Sequence, residues 1–77
     1  MWTLIIDCAK QLKLHAKVRE KIENNAIVYE IIEVETDQYK LALISRHNIP
    51  EEGSQHNILN CKQLVQYNFE VLEEEEL

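Results

Sequence analysis

The spacing of apolar positions changes period several times along the chain, and each change marks a predicted element. Over residues 2–12, Trp2, Leu4, Ile5, Cys8, Ala9 and Leu12 fall on one side at helical spacing, with Thr3, Asp7, Lys10 and Gln11 opposite. That predicts a short N-terminal helix, although Trp2, Leu4 and Ile6 also alternate as a strand would. Residues 13–23 support two readings. Leu14, Ala16, Val18 and Ile22 alternate with Lys13, His15, Lys17, Arg19, Lys21 and Glu23 in the period of a strand. The same stretch is rich in helix formers, but a helix would place His15 and Arg19 near the middle of its apolar arc. The strand reading is preferred. Asn tolerates positive φ, so Asn24-Asn25 can turn the chain into a hairpin, with Ile22 facing Ile27, Val18 facing Ile31 and Arg19 facing Glu30.

The β-branched run AIVYEIIEVE over 26–35 and YKLALIS over 39–45 predict a second hairpin through Thr36-Asp37-Gln38. Residues 46–57 hold the only Pro and the only Gly and read as a long irregular connection. Ile58, Cys61 and Leu64 then sit at helical spacing, consistent with one or two helical turns. Val65, Tyr67, Phe69 and Val71 alternate with Gln66, Asn68 and Glu70, which predicts a final strand. The expected fold is mainly β: one short N-terminal helix and an antiparallel four-stranded meander curling toward a small barrel. The alternative is α+β, with a helix over 3–23 packed on a three-stranded antiparallel sheet. No residue pattern supports a named family.

With 77 residues and 45% hydrophobic side chains, the chain is expected to fold as one domain over 1–77, leaving 73–77 as an acidic tail that frays. A chain this short has little room for both a closed core and an enclosed cleft, which favours an interaction protein over an enzyme. No apolar run reaches the ~20 residues that span a bilayer, and the first residues lack the basic start of a signal peptide. The expected location is therefore cytoplasmic, with no membrane partner. Cys8 and Cys61 could form one disulfide, but a secreted domain of this size usually carries four or more cysteines, so buried free thiols are expected.

Charge sharpens this picture. Residues 1–25 carry Lys10, Lys13, Lys17, Arg19 and Lys21 against three acids, whereas 26–77 carry eleven acids against Lys40, Arg46 and Lys62. The net charge of −6 repels nucleic acid and attracts basic surfaces. Candidate partner-binding charges are Glu33, Glu35, Asp37, Glu51, Glu52, Glu73, Glu74, Glu75 and Glu76. Lys10, Lys13, Lys17, Arg19 and Lys21 form a basic track, read as a solvated strand edge, a dimer contact or a nucleic-acid site.

Candidate chemistry is sparse. His47, His56 and Cys61 follow the spacing H-x8-H-x4-C, which matches no standard zinc pattern, so two solvated loop histidines are expected and neither metal nor cofactor. Cys61 with His56, or Cys8 with His15, is the nearest thing to a nucleophilic pair, but an apolar or acidic setting disfavours the thiolate. Glu51-Glu52 and Glu73–Glu76 are sequence neighbours on exposed segments rather than a buried acid–base pair. The expected function is a non-catalytic protein-binding regulator, inhibitor or accessory subunit that docks on a larger protein with a basic surface. A mobile-element or phage inhibitor of a nucleic-acid-binding host enzyme would use that physics, because carboxylates compete with phosphates for the same Arg and Lys donors. Homodimerisation is a further expectation, since the acidic tail complements the lysine track. The competing expectation is a nucleic-acid-binding accessory module working through residues 10–21.

Overall fold

The computed structural model describes residues 1–22, 25–51 and 55–73. The chain runs β1 (Trp2–Leu4), α1 (Cys8–Gln11), β2 (Lys17–Ile22), β3 (Asn25–Val34), β4 (Gln38–Arg46), β5 (Ile49–Pro50), β6 (His56–Asn60), α2 (Cys61–Gln66) and β7 (Glu70–Leu72). The fold is mainly antiparallel β with short helices. Among the described residues its sheet has seven strands rather than four, ordered β1-β7-β2-β3-β4-β5, with β6 pairing the first half of β4 and β5 the end of it. Among the described residues no ladder joins β1 to β5 or β6, so the sheet curls without closing.

Two bulges explain the curl. The β3–β4 register slips once at Ile44 on β4 and once at Ile32 on β3. Each extra residue bends its strand and increases the local twist. The result has near-equal extents of 29 × 28 × 26 Å, far from the thickness of a flat layer. Inside the curl lie Ile5, Cys8, Leu12, Val18, Tyr29, Ile31, Tyr39, Leu41, Leu43, Leu64, Phe69 and Val71.

The expected N-terminal helix is shorter than its apolar face suggested. Trp2–Leu4 pairs with Leu72–Glu70 as a strand, and only Cys8–Gln11 is helical. The reason lies in Gln11. Its Oε1 accepts the N–H groups of Ile6 and Asp7 at 2.7 and 2.8 Å, and its Nε2 donates to the Leu4 carbonyl at 3.1 Å. These bonds hold a turn where a continuous helix would need those groups. Asp7 then caps α1 by accepting from the Lys10 N–H.

The strand reading of 13–23 holds from Lys17 onward, and the helix over 3–23 is excluded. The hairpin register differs by two residues from expectation: Ile22 faces Asn25, Val18 faces Tyr29 and Arg19 faces Val28. A slip of two keeps every side chain on its expected face, which is why the pattern could not reveal it. Asn25 belongs to β3, and Asn24 lies outside the described residues.

Residues 46–51, the described start of the expected irregular connection over 46–57, are more regular than a loop. His47 (φ 53°) and Asn48 (φ 65°) are both left-handed and make a two-residue turn between β4 and β5, the positive-φ pair that a type I′ hairpin demands. Pro50 fits there because β5 is an edge strand among the described residues, where a missing ladder donor is tolerated.

The alternation over 65–71 proved misleading. Residues 61–66 are helical, and β7 spans only Glu70–Leu72. Asn60 and Gln63 form a reciprocal capping box, Asn60 Oδ1 accepting the Gln63 N–H at 2.8 Å and Gln63 Oε1 the Asn60 N–H at 2.9 Å. The helix ends in a Schellman motif. Asn68 is left-handed (φ 57°), its N–H donates to the Val65 carbonyl at 3.1 Å, and the Phe69 N–H donates to Leu64 at 3.0 Å. Val65 and Tyr67 are exposed in consequence, while Leu64 and Phe69 are buried. Asn68→Ala should cost ~1 kcal/mol, and Asn68→Gly should be neutral. Urea midpoints of the two variants check this, and equal midpoints would refute the role assigned to the left-handed cap.

Cys8 and Cys61 form a disulfide across 53 residues, with Cα atoms 6.0 Å apart, rather than two free thiols. Cys8 is buried on the inward side of α1, as its place in the apolar pattern implied. What the pattern lacked was the location of α2, whose first residue lies against it. No helix among the described residues is long and apolar enough to cross a membrane.

Candidate functional site

The structure distributes the acidic candidates over separate regions. Glu33, Glu35 and Asp37 stand together where β3 turns into β4, in a turn closed by the Glu35 N–H donating to the Gln38 carbonyl at 2.9 Å. Glu51 is attached near the other end of β4, its N–H donating to the Ile44 carbonyl at 2.9 Å. Glu73 pairs with Met1 beside β1, donating its N–H to the Met1 carbonyl at 2.8 Å. Glu52, Glu74, Glu75 and Glu76 lie outside the described residues. Two further acids are engaged internally: Glu30 meets His15 at 3.1 Å and Glu70 meets Arg19 at 2.8 Å.

The β3–β4 end is the best-formed acidic site. Glu33, Glu35, Gln38, Lys40 and Ile58 line a small groove of about 190 Å³. Lys40 sits opposite Glu33 in the ladder at 4.0 Å, a weak exposed pair that leaves most of the carboxylate charge to solvent. Ile58 lines the same groove and is 61% exposed, so the carboxylates border an apolar side chain. Tyr39 lies beneath. Burial raises its hydroxyl above the ordinary value, and the negative charges of Asp37 and Asp7 push it further up.

Ile58 was missed in the sequence because it looked local. Ile58 stands between Asn57 and Leu59, and only its placement on β6 beside β4 brings it to Glu33 and Glu35.

The basic track divides in two. Arg19 is taken up by the fold: its guanidinium lies 4.4 Å from the Trp2 ring centroid and bonds Glu70, tying together β1, β2 and β7. Lys21 is exposed further along β2. Lys10, Lys13 and Lys17 instead line one open cleft with His15.

The histidine and cysteine candidates separate. His15 and His47 occupy left-handed positions in two different turns, and His56 begins β6. Both sulfurs are consumed by the Cys8–Cys61 bond, which removes Cys61 as a metal ligand and either cysteine as a thiolate nucleophile while the bond is intact. Among the described residues no group of three His, Cys, Asp or Glu is placed to hold a metal ion. Tyr29 is the remaining perturbed group: burial and the charge of Glu20 raise it, opposed by Arg46 and a hydrogen bond from Asn57. It packs on Phe69 with ring centroids 6.1 Å apart and belongs to the core.

No protein-family model, no curated protein and no solved structure matches this chain, so the fold and the geometry of its surface carry the functional reading.

Proposed function

We propose that this chain is a non-catalytic binding domain, a regulator, inhibitor or accessory subunit. It docks on a basic protein surface through the end of the sheet that carries Glu33, Glu35 and Asp37. The observation behind this reading is the juxtaposition of Glu33 and Glu35 with exposed Ile58 around one groove. Specific contacts combine an apolar anchor with a polar rim. Here Ile58 supplies the anchor, and the carboxylates select Arg or Lys on the partner and steer its approach. A nucleic-acid-binding enzyme is a suitable partner class, since its groove already presents donors for anionic oxygens.

The disulfide bears on where such a domain works. Reducing systems keep cytosolic thiols apart, so the Cys8–Cys61 bond fits an oxidising setting better than the cytoplasm expected from the sequence. In the cytoplasm the domain would have to function with the bond reduced.

The test compares two baits, the native chain and a Glu35→Lys/Ile58→Asp variant, in affinity capture from the native cell at low salt. Proteins with basic surfaces should be recovered by the native chain and released by added salt. Their affinity for the variant should fall at least about tenfold. Identical capture by both baits would rule the site out.

A further inference from the structure

The lysine cleft is a second site with a different chemistry. It is formed by the end of α1 (Lys10, Gln11), the turn that follows (Lys13, Leu14, His15, Ala16), the first residue of β2 (Lys17), and Leu72 and Glu73 beyond the core of β7. Its volume is about 560 Å³. The turn is held firmly to the sheet. The His15 N–H donates to the Ile31 carbonyl at 2.7 Å, and the Ile31 N–H donates to Ala16 at 2.8 Å. The Ala16 N–H closes the turn onto the Lys13 carbonyl at 3.0 Å. His15 accepts a left-handed backbone (φ 72°) to make this geometry, and buried Leu12 anchors the approach.

The backbone beneath Lys13 and Lys17 is therefore fixed, and the lysines approach one cleft from separate elements. Among the described residues, no ion pair involves Lys10, Lys13 or Lys17; the three pairs present use His15, Arg19 and Lys40. Gln11 is already committed to the α1 turn and to Glu73 Oε1 at 3.5 Å. Among the described residues the cleft thus holds three ammonium groups in no ion pair, with Glu73 at its rim, Glu30 bound to His15 at 3.1 Å and opposite Lys17 in the β2–β3 ladder, and apolar walls from Leu14, Ala16 and Leu72.

We propose that this cleft binds a compact oligophosphate of two or three contiguous phosphate groups, with Lys10, Lys13 and Lys17 as its ligands. Lysine ammonium groups act on phosphate as point charges without a required angle, which suits long side chains converging from separate elements. A short ligand is favoured over a long polyanion. The protein carries −6 overall, and any phosphate run leaving the cleft past Leu72 meets Glu73. The shared chemistry is the phosphate chain itself, supplied either by inorganic oligophosphate or by a nucleoside di- or triphosphate.

The probe is inorganic tripolyphosphate titrated into the full chain at low ionic strength, followed by amide resonances in two-dimensional NMR. Saturable shifts should concentrate on residues 10–17 and 72–73. Lys13→Gln/Lys17→Gln should weaken binding by about tenfold per lost ammonium, whereas Glu73→Gln should tighten it. Lys62→Gln, which removes one ammonium group on α2, should leave affinity unchanged. Tripolyphosphate and ATP binding equally would indicate the inorganic source, and tighter binding of ATP the nucleotide; both support the site. Absence of saturable shifts with tripolyphosphate, or equal weakening by Lys62→Gln and the double variant, would overturn the proposal. So would binding of a single-stranded oligonucleotide without binding of tripolyphosphate, which would favour nucleic acid instead. The substituted lysines are surface groups with no ion-pair partner among the described residues, so an unchanged amide spectrum of each free variant verifies the fold.

Discussion

Cys8→Ser/Cys61→Ser should lower the stability of the folded chain by about 4 kcal/mol, a figure set by the 53-residue separation that the bond closes in the unfolded state. A domain of this size has a total stability of only about 4–12 kcal/mol, so the loss is a large share of the whole. The melting temperature should drop by roughly 15–30 °C. Removing two sulfurs from the buried contact between α1 and α2 also leaves polar hydroxyls there, which adds to the cost. Urea unfolding of the native chain, with and without reductant, checks the same quantity without mutation. Equal midpoints in the two conditions would show that the bond contributes nothing to the fold.

Phe69→Ala is expected to cost about 3–5 kcal/mol, the usual range for emptying a buried aromatic site. Phe69 is 2% exposed, packs on Tyr29, and makes the hydrophobic contact to Leu64 that completes the helix-ending motif. Its N–H is spent on the Leu64 carbonyl, and its own carbonyl accepts the Ile5 N–H at 3.0 Å. The ring therefore holds α2, the entry to β7 and the residue after β1 in one place. Loss of the ring should weaken all three together, visible as a cooperative fall in the urea midpoint of the order just given. A loss under ~1 kcal/mol would mean that the surrounding side chains collapse into the space and that Phe69 is a filler rather than an anchor.

The sheet class was legible because β3 and β4 carry long β-branched runs separated by a polar turn, and their boundaries fell within a residue or two of expectation. Strand β2 was legible from its period. The other differences have a common cause, in that short polar side chains overrode the apolar pattern. Gln11 broke the first helix by bonding three backbone groups. Asn60 and Gln63 started the expected helical turns at Cys61 rather than Ile58, and Asn68 ended them only after Val65 and Gln66, whose alternation read as strand. His47 and Asn48 turned an apparent loop into two strands by accepting positive φ. Such residues act through one or two hydrogen bonds at fixed geometry, which a count of apolar spacing does not register. The candidate sites show the same division. The lysines at 10, 13 and 17 were recognised as a set, but Arg19 was assigned to that set although the fold uses it beside Trp2 and Glu70. The groove at Glu33 and Glu35 needed Ile58, 23 positions beyond Glu35 in the numbering, and only the β4–β6 ladder brings it there.

Strand β7 lies between β1 and β2, although it comes from the far end of the described chain. As the polypeptide leaves the ribosome, β2, β3 and β4 can pair with one another as soon as each hairpin is made, since their contacts are local. Strand β1 has no such option. Among the described residues its only ladder is to Glu70–Leu72, so Trp2, Thr3 and Leu4 emerge before the other strands and wait longest for a partner. During that interval the nascent chain presents an unpaired strand with a tryptophan and a leucine on it, the kind of edge that holdase chaperones cover and neighbouring chains pair with. The arrival of β7 ends that exposure, and the arginine held between Trp2 and Glu70 closes over the seam.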